Sequence, residues 1–274
     1  MDFGFVIENF DVNLDPNKLI YTAKMVENSG FESIWTVDHV MQPIGGRNQI
    51  YDRISEVLVT LAFLAGLTKK IKLGVSTLVL PLRHPVMAAK QLATLDYLTN
   101  GRLVITFGVG WNEKEFSFLG QKFRNRGKRF DEALQVVKAL WNGETSFFGK
   151  YYSFENASFH PIRKELAELP LIIAGGPHYG PLRAVKYGDG WHPNGMSGKE
   201  MTEALVPFKD ELKDKNFILS IHQFIYKNTD LEEIVNEYKE CGISRVVFDL
   251  TRTDIKNEER PEFFNKLCDF VKNW

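Results

Sequence analysis

The stretch Leu103-Val-Ile-Thr-Phe-Gly-Val-Gly-Trp-Asn-Glu-Lys-Glu-Phe116 carries the pattern on which the predicted fold rests. Large apolar residues alternate with residues that become smaller towards its C-terminal end, and this alternation predicts a buried strand. Gly108 and Gly110 end the alternation, and an indole, an amide and two carboxylates follow directly. Because glycine lets a ligand approach the backbone, the end of this strand predicts a floor on which a flat molecule can lie.

The composition is that of an ordinary globular protein. Of the 274 residues, 44% are apolar and 25% are charged, which argues against disorder. The net charge of −1 provides no basic surface for nucleic acid or for an anionic membrane. Aromatic residues make up 13% of the chain, which fits either a Phe-rich core or a pocket that binds a ring.

The cysteines and the N-terminus indicate a cytoplasmic protein. Cys241 and Cys268 are the only cysteines, so a disulfide framework is excluded and the spacing supports no metal site. The first residues include neither a basic region nor a long apolar run, so we expect no signal peptide. No stretch approaches about 18 uninterrupted apolar residues, so we expect no membrane span.

Strands and helices alternate along the chain in eight rounds. The predicted strands cover residues 3–7, 33–37, 71–80, 103–110, 171–174, 189–191, 217–226 and 245–250. The predicted helices begin at Pro16, Pro85 and Pro181 or cover residues 54–67, 130–141, 199–214, 231–241 and 261–271. Strict alternation predicts parallel strands, and eight of them favour a single (β/α)₈ TIM-barrel domain over residues 1–274. The segment Gly149-Lys-Tyr-Tyr-Ser-Phe154 predicts a small hairpin insertion after the fourth strand and its helix.

Polar side chains follow the predicted strands at the end where such barrels bind their ligands. His39, behind Asp38, is the candidate for proton transfer because imidazole exchanges protons near neutral pH, although a lone histidine is often structural. Of Glu113 and Glu115, we expect one to face the pocket and the other to be solvated. Glu8, at the end of the first strand, is a third candidate for proton transfer. It is assigned, together with Phe5 of that strand, to the substrate pocket.

Small residues recur at alternate positions, which share one face, in three successive strands. They are Gly74 and Ser76, then Thr106, Gly108 and Gly110, then Ala174 and Gly176. If this face points inward, the barrel is hollow on one side, and a planar aromatic ligand would fill the hollow. The alternative is that the small residues make room for bulky side chains opposite them.

An anion site is predicted in the loop Ala174-Gly-Gly-Pro-His-Tyr-Gly-Pro181. Its glycines leave backbone N–H groups accessible, and Pro181 suits the first turn of a helix whose N-terminus attracts phosphate. Barrels more often bind phosphate after strands seven and eight, but those strand ends contain no glycine here. The basic run Arg124-Asn-Arg-Gly-Lys-Arg129 fits a clamp for a diphosphate or an acidic tail, or a solvated helix start.

Motifs along nearly the whole chain, taken in order, resemble the bacterial luciferase-like monooxygenase family, and within it the branch of F420-dependent oxidoreductases. They are Asp38-His-Val-Met-Gln-Pro43, Arg83-His-Pro85, Ala93-Thr-Leu-Asp-Tyr97, Gly101-Arg102, Trp111-Asn-Glu-Lys-Glu-Phe116, Arg126-Gly-Lys-Arg-Phe-Asp-Glu132, Ala139-Leu-Trp141, Gly149-Lys-Tyr-Tyr152, Ala174-Gly-Gly176 and Tyr187-Gly-Asp-Gly-Trp191.

The resemblance implies a barrel that binds FMN or its deazaflavin analogue F420, and the branch favours F420. Asp38 and His39 would then lie beside the ring, and Ser76-Thr77 would form a non-prolyl cis peptide behind it. Glu113 would act with His39 in proton transfer, and Gly175-Gly176 would contact the phosphate side. The other residues assigned to the cofactor are Gly108, Gly110, Trp111, Asn112 and Ala174.

The resemblance also implies a homodimer formed through the second and third helices, and for an oxygenase a separate reductase that supplies reduced cofactor. The apolar run at residues 57–67 suits such a contact. This chain departs from the pattern at Pro43, where some deazaflavin enzymes carry tryptophan, so a borrowed substrate such as a sugar phosphate is in doubt. The chain is also short for the family, which predicts trimmed loops after the later strands.

Two chemistries stay open for the expected oxidoreductase and its small organic substrate. Reduced FMN would support monooxygenation, whereas F420 would support hydride transfer, with His39 or Glu113 handling the accompanying proton. A barrel that binds flavin without turnover is the alternative from another class. An unrelated phosphosugar enzyme is a third possibility, and it predicts a phosphate site after strands seven and eight.

Overall fold

Eight parallel strands form a closed barrel in the computed structural model, which describes residues 1–10, 14–45, 49–213 and 215–274. The strands are β1 (Asp2–Val6), β2 (Ser33–Thr36), β3 (Lys72–Val79), β4 (Leu103–Gly108), β5 (Phe147–Phe148), β6 (Ser153–Phe154), β7 (Ile172–Ala174), β8 (Gly190–His192), β9 (Ile218–Phe224) and β10 (Arg245–Asp249). The α-helices are α1 (Pro16–Glu27), α2 (Val57–Leu67), α3 (Pro85–Thr99), α4 (Glu113–Phe118), α5 (Arg126–Trp141), α6 (Gly180–Tyr187), α7 (Gly198–Leu205), α8 (Lys209–Leu212), α9 (Leu231–Glu240) and α10 (Arg260–Asn273). Short 3₁₀ turns cover Gln49–Tyr51, Leu80–Leu82, Lys164–Glu168 and Val206–Phe208.

The barrel closes between its first and last strands. Going round it, the strands follow the order β1, β10, β9, β8, β7, β4, β3 and β2, and every pair is parallel. The remaining strands, β5 and β6, form an antiparallel hairpin after α5. The prediction of a (β/α)₈ barrel with a small hairpin insertion is therefore confirmed.

Helix boundaries follow local capping signals. Asp15 accepts a hydrogen bond from the Asn17 N–H and Pro16 occupies the first turn, so α1 begins where the sequence predicted. Asn100 ends α3 with φ of 52°, in the left-handed region that asparagine tolerates. The predicted helix at residues 199–214 is instead the run α7, a 3₁₀ turn and α8, and residue 214 lies outside the described part.

The side chains of β1 show how the barrel separates two apolar cores. Phe5 points outward and its ring packs against Phe31 and Phe264, with ring centroids 5.6 and 4.9 Å away. Val6 points inward and joins Trp35 in the barrel interior. The assignment of Phe5 to the pocket above the barrel is therefore corrected, because the strand's period of two directs it towards the helices.

Trp35 fills most of the barrel centre. A Cβ added at Gly4 or Gly74 would come within 2.3 or 2.4 Å of its indole, so both positions must stay glycine. At Gly74 the small residue thus makes room for a bulky neighbour and leaves no hollow. The indole also stacks on the His192 ring, with centroids 5.4 Å apart and planes inclined by 6°.

The outer faces of α2 and α3 carry exposed apolar side chains. Val59 and Phe63 lie one turn apart on α2, and Met87, Tyr97 and Leu98 are exposed on α3. Among the helices in the described ranges, none has the length and apolar character needed to cross a bilayer.

Candidate active site

A cleft of about 590 Å³ opens at the C-terminal ends of the barrel strands. This volume lies in the range of about 300–1,000 Å³ that is usual for small-molecule and cofactor sites. Its lining contains these residues that the sequence had assigned to the site: Asp38, His39, Ser76, Thr77, Gly108, Gly110, Trp111, Ala174, Gly175 and Gly176.

His39 is held in place by a buried carboxylate. Its Nδ1 lies 2.9 Å from Oε2 of Glu115, whose Oε1 accepts a 2.6 Å hydrogen bond from the Val40 N–H. The carboxylate acts as acceptor, so Nδ1 of His39 donates and Nε2 is the ring nitrogen left for a ligand. The Trp111 ring stands edge-on to the imidazole at 5.8 Å.

Glu113, which the resemblance implied for proton transfer, occupies a different position. It is exposed at the start of α4 and is not part of the cleft lining. Successive helical residues are about 100° apart, so Glu115 lies on the opposite side of this helix and reaches His39. One of the two carboxylates faces inward, as predicted, but it is Glu115.

Asp38 is engaged by the protein itself. Both of its oxygens accept hydrogen bonds from Arg83, at 2.6 and 2.8 Å, and Oδ2 also accepts one from the Val79 N–H. Burial by itself lowers the pKa of Arg83, but Asp38 and Glu56 outweigh it and raise that pKa. Asp38 therefore anchors the turn that positions His39.

The floor of the cleft is built from β3 and β4. A cis peptide joins Ser76 and Thr77, as the resemblance implied. A Cβ added at Gly108 would lie 2.2 Å from Cγ2 of Thr77, and Gly110 adopts φ of +83°. Thr77 thus occupies the space that Gly108 leaves, and Thr106 contacts its hydroxyl at 2.6 Å.

The loop between β7 and α6 forms one end of the cleft. Trp191 donates a 2.8 Å hydrogen bond from Nε1 to the Gly175 carbonyl. A Cβ at Gly180 would collide with that indole nitrogen at 2.5 Å, whereas a Cβ at Gly176 would meet nothing within 4 Å. Gly176 is therefore the glycine of this loop that borders open space.

Two arginines stand at the same end. Arg126 donates from Nε to the Gly110 carbonyl at 2.9 Å, and Arg183 donates from Nε to Asp131 at 2.7 Å. Burial and the neighbouring Arg183 guanidinium lower the pKa of Arg126, and Glu113 opposes this only in part. An anion between the two guanidinium groups would relieve their repulsion.

Sequence reasoning missed a chain of polar side chains at the bottom of the cleft, three of which line it: Ser76, His222 and Asp249. Ser220 Oγ lies 2.8 Å from Nδ1 of His192, whose Nε2 lies 2.9 Å from Ser76 Oγ. Ser76 Oγ lies 2.8 Å from Nδ1 of His222, whose Nε2 lies 2.8 Å from Oδ2 of Asp249. Ser220 and His222 occupy alternate positions of β9, and that alternation was the signal available in the sequence.

A second group on the cleft wall was also missed. The Arg252 guanidinium lies 5.9 Å from the Tyr51 ring centroid and 5.5 Å from that of Phe224. The His39 and Tyr51 rings are 4.7 Å apart, which places this group beside the imidazole. Burial raises the pKa of Tyr51, and Arg252 counteracts that rise.

Two further assigned residues lie elsewhere. Asn112 caps α4 and donates a 2.8 Å hydrogen bond to Gln42, so it supports the fold and does not line the cleft. Glu8 forms ion pairs with Lys18 and Arg260, beside a separate groove between β1, α1 and α10 that Phe5 also borders. Neither position reaches the cleft above the barrel.

A family model described as luciferase-like monooxygenase matches residues 1–235. The chain belongs to the luciferase-like monooxygenase family. The family assignment agrees with the motifs in the sequence and with the closed barrel. An F420-dependent glucose-6-phosphate dehydrogenase of Kineococcus radiotolerans is 32% identical over 197 residues, covering 70% of this chain and 57% of that protein.

Other proteins that are similar to this luciferase-like chain are named for a different reaction, monooxygenation. Pyrimidine monooxygenase RutA of Pseudomonas savastanoi is 31% identical over 157 residues, covering 54% of this chain and 42% of that protein. The matches to these two relatives span about half of their length. The monooxygenase RslO1 of Streptomyces bottropensis has the same fold, with a TM-score of 0.76 over 98% of both chains and 16% identity.

Proposed function

We propose that this luciferase-like protein is an oxidoreductase that binds a flavin or deazaflavin in the cleft and transfers hydride between the cofactor and a small organic substrate. One observation carries the proposal: the cleft joins a histidine fixed by a buried carboxylate to an open glycine loop flanked by two arginines.

The residues present fit such a cofactor. Gly176 borders space in which no protein atom lies within 4 Å of an added Cβ. Arg126 and Arg183 stand at that end as a cationic pair suited to a phosphate, and the helix α6 begins at the same loop. F420 or FMN supplies the hydride chemistry when bound.

His39 is proposed as the group that exchanges the substrate's proton. Its Nδ1 is engaged by Glu115, so Nε2 is available on the cleft side. The buried carboxylate stabilises the imidazolium that forms when Nε2 accepts a proton. Tyr51 and Arg252, on the adjoining wall, would contact the substrate, and the cation favours a substrate with an acidic or strongly polar group.

Between the two cofactors, we favour F420. The 32% identity to an F420-dependent dehydrogenase over 70% of this chain supports this choice. The similarity to a pyrimidine monooxygenase supports FMN and oxygenation as the second candidate, with a separate reductase as partner. The substrate is not carried over from either relative, because Pro43 stands where some deazaflavin enzymes have tryptophan.

Titration with FMN and with F420 tests the cofactor. Binding to the native state raises its stability by about 2.7 kcal/mol at a ligand concentration of 100 Kd. We therefore expect a higher melting temperature and altered ring fluorescence with one of the two. If neither cofactor changes either signal, the proposal is wrong.

Gly176→Val provides the matched variant for this titration. The added side chain enters open space, so folding should be unaffected, but it would overlap a bound cofactor. Overpacking costs about 1–3 kcal/mol, which corresponds to a loss of affinity of about fivefold to a hundredfold. Ala167→Val, a change at an exposed position of the 3₁₀ turn Lys164–Glu168 that does not line the cleft, should bind like the native protein.

We further propose a homodimer that buries the outer faces of α2 and α3. Exposed Val59 and Phe63 form an apolar patch at i, i+4 spacing, next to the exposed apolar residues of α3. Light scattering should give twice the chain mass of 31.5 kDa, and Phe63→Glu should give the monomer. A native monomer at micromolar concentration would contradict this proposal.

A further inference from the structure

Polar groups in the barrel interior are concentrated at the bottom of the cleft. Elsewhere the interior is mainly apolar, with residues such as Trp35, Val104 and Val247, and the indole of Trp35 donates to the buried Ser33 hydroxyl. Two histidines, two serines and an aspartate nevertheless form one continuous chain across β3, β8, β9 and β10. Buried ionisable groups are costly, so such a concentration next to a cleft points to function.

The charge at one end of this chain is fixed. Burial by itself raises the pKa of Asp249, but hydrogen bonds from His222 and Thr251 outweigh it and hold that pKa below its usual range. Asp249 is therefore a carboxylate, and it accepts a hydrogen bond from the Nε2–H group of His222. Because Nε2 of His222 donates to this carboxylate, Nδ1 is the ring nitrogen that faces Ser76.

The other end of the chain is neutral. Burial, His222 and Arg245 lower the pKa of His192 well below the usual value. Its Nδ1 lies 2.8 Å from the Ser220 hydroxyl and its Nε2 lies 2.9 Å from Ser76 Oγ. In the tautomer with the ring proton on Nε2, His192 accepts from Ser220 and donates to Ser76.

Ser76, His222 and Asp249 of this chain line the cleft, and the Ser76 hydroxyl lies between the two histidines. When Nδ1 of His222 is protonated, Ser76 Oγ accepts two hydrogen bonds, one from each histidine. A hydroxyl has one proton and two acceptor sites, so its own proton must point away from both rings. Ser76 lines the cleft, and the cleft is the space left for that proton.

We propose that Asp249, His222 and Ser76 form a proton-delivery chain for the cofactor ring, with Ser76 as the catalytic residue and His222 and His192 as positioning residues. The inference rests on the proposed function. Reduction of a flavin or deazaflavin ring by two electrons adds a hydride and a proton.

In the proposed step the substrate carbon gives its hydride to the ring, and the substrate hydroxyl gives its proton to His39. The Ser76 O–H bond breaks as its proton passes to the ring. At the same time the Nδ1–H bond of His222 breaks and that proton moves to Ser76 Oγ. His222 is left neutral, and the ring has gained one hydride and one proton. Oxidation of the ring reverses every transfer.

Among the described residues, several other ionisable groups line the cleft: Asp38, His39, Tyr51, Arg126, His178, Tyr179, Arg183 and Arg252. On the side of the chain away from the cleft, the positive charge of Arg245 helps to lower the pKa of His192.

Nitrogen NMR of the histidine rings in the holoprotein tests the chain, with FMN or F420 bound and then chemically reduced. In the native protein, His222 should carry protons on both ring nitrogens before reduction and lose the Nδ1 proton after it. The midpoint potential should show an inflection with pH. In Ser76→Ala both signals should disappear, whereas His84→Gln, an exposed histidine outside the cleft, should retain them.

The outcomes separate the two proposals. If neither cofactor binds, both the proposed function and the relay are wrong. If a cofactor binds and reduction leaves the His222 ring unchanged, only the relay is wrong. If the redox-linked change at His222 occurs but persists in Ser76→Ala, the proton does not pass through Ser76 and the relay is also wrong. The melting temperature of Ser76→Ala checks its folding, and Ser76→Thr, which keeps the hydroxyl, should restore the native signals if Ser76→Ala unfolds.

Discussion

Replacing His39 with alanine should reduce turnover by about a hundredfold to ten-thousandfold, which is the usual contribution of a positioned acid–base group. The imidazole lines the cleft but does not form its floor, so cofactor affinity should change little. The measurements are kcat with the best substrate from a panel of alcohols, aldehydes and organic acids, and Kd from cofactor fluorescence. A barrel that binds cofactor without turnover would show no activity in either protein.

The two glutamates after β4 provide the matched pair for this prediction. Glu115→Gln removes the carboxylate that supports an imidazolium at His39, so kcat should fall, with a change in its pH profile. Glu113→Gln changes an exposed side chain outside the cleft lining and should leave kcat within about twofold of native, because it removes no contact with the reacting groups. The reverse ranking would restore Glu113 as the proton-transfer carboxylate, and full activity in His39→Ala would remove His39 from the mechanism.

Replacing Asp38 with alanine should destabilise the protein by about 3–5 kcal/mol. The Asp38 side chain is fully buried and that of Arg83 is only 12% exposed, so the substitution leaves a buried cation without its bidentate partner. Urea denaturation measures the change as a shift in the unfolding midpoint at constant slope.

Glu56→Ala is the control for Asp38 because its carboxylate pairs with the same arginine at 2.9 Å but is 38% exposed. We expect a smaller loss there, of about 1–2 kcal/mol, because the exposed ion pair contributes little and Glu56 also caps α2 by accepting from the Val59 N–H. If Asp38→Ala instead retained native stability and lost cofactor affinity, Asp38 would be a cofactor ligand, as the sequence resemblance implied, and not the anchor of its turn.

The barrel itself was predictable because its pattern is local. Each strand carries its own apolar alternation, and each helix begins or ends at residues such as Pro16, Asn100 or Pro181 whose preferences act within one turn. Which side chains of β4 share one face also followed from the sequence, because side chains alternate between the two faces of a strand. The cis peptide at Ser76-Thr77 was available only through the resemblance, since neither residue has a local preference for it.

The roles of several site residues were not predictable, because they depend on directions that distant parts of the chain determine. Glu113 and Glu115 are equally acidic, and only the packing of Phe116 in its buried cluster turns α4 so that Glu115 faces His39. Gly74 looked like part of a hollow until the fold placed Trp35 against it.

The sequence by itself determined that this protein is an eight-stranded parallel barrel of the luciferase-like family with its site above β2 to β4 and β7. Periodicity, capping and ordered motifs are properties of neighbouring residues, so they do not depend on contacts between distant parts of the chain. Tertiary structure alone decided which carboxylate serves His39, which glycine borders open space and that Ser76 joins His192, His222 and Asp249. Those partners lie more than a hundred residues from Ser76 along the chain, and only closure of the barrel brings their side chains within hydrogen-bonding distance.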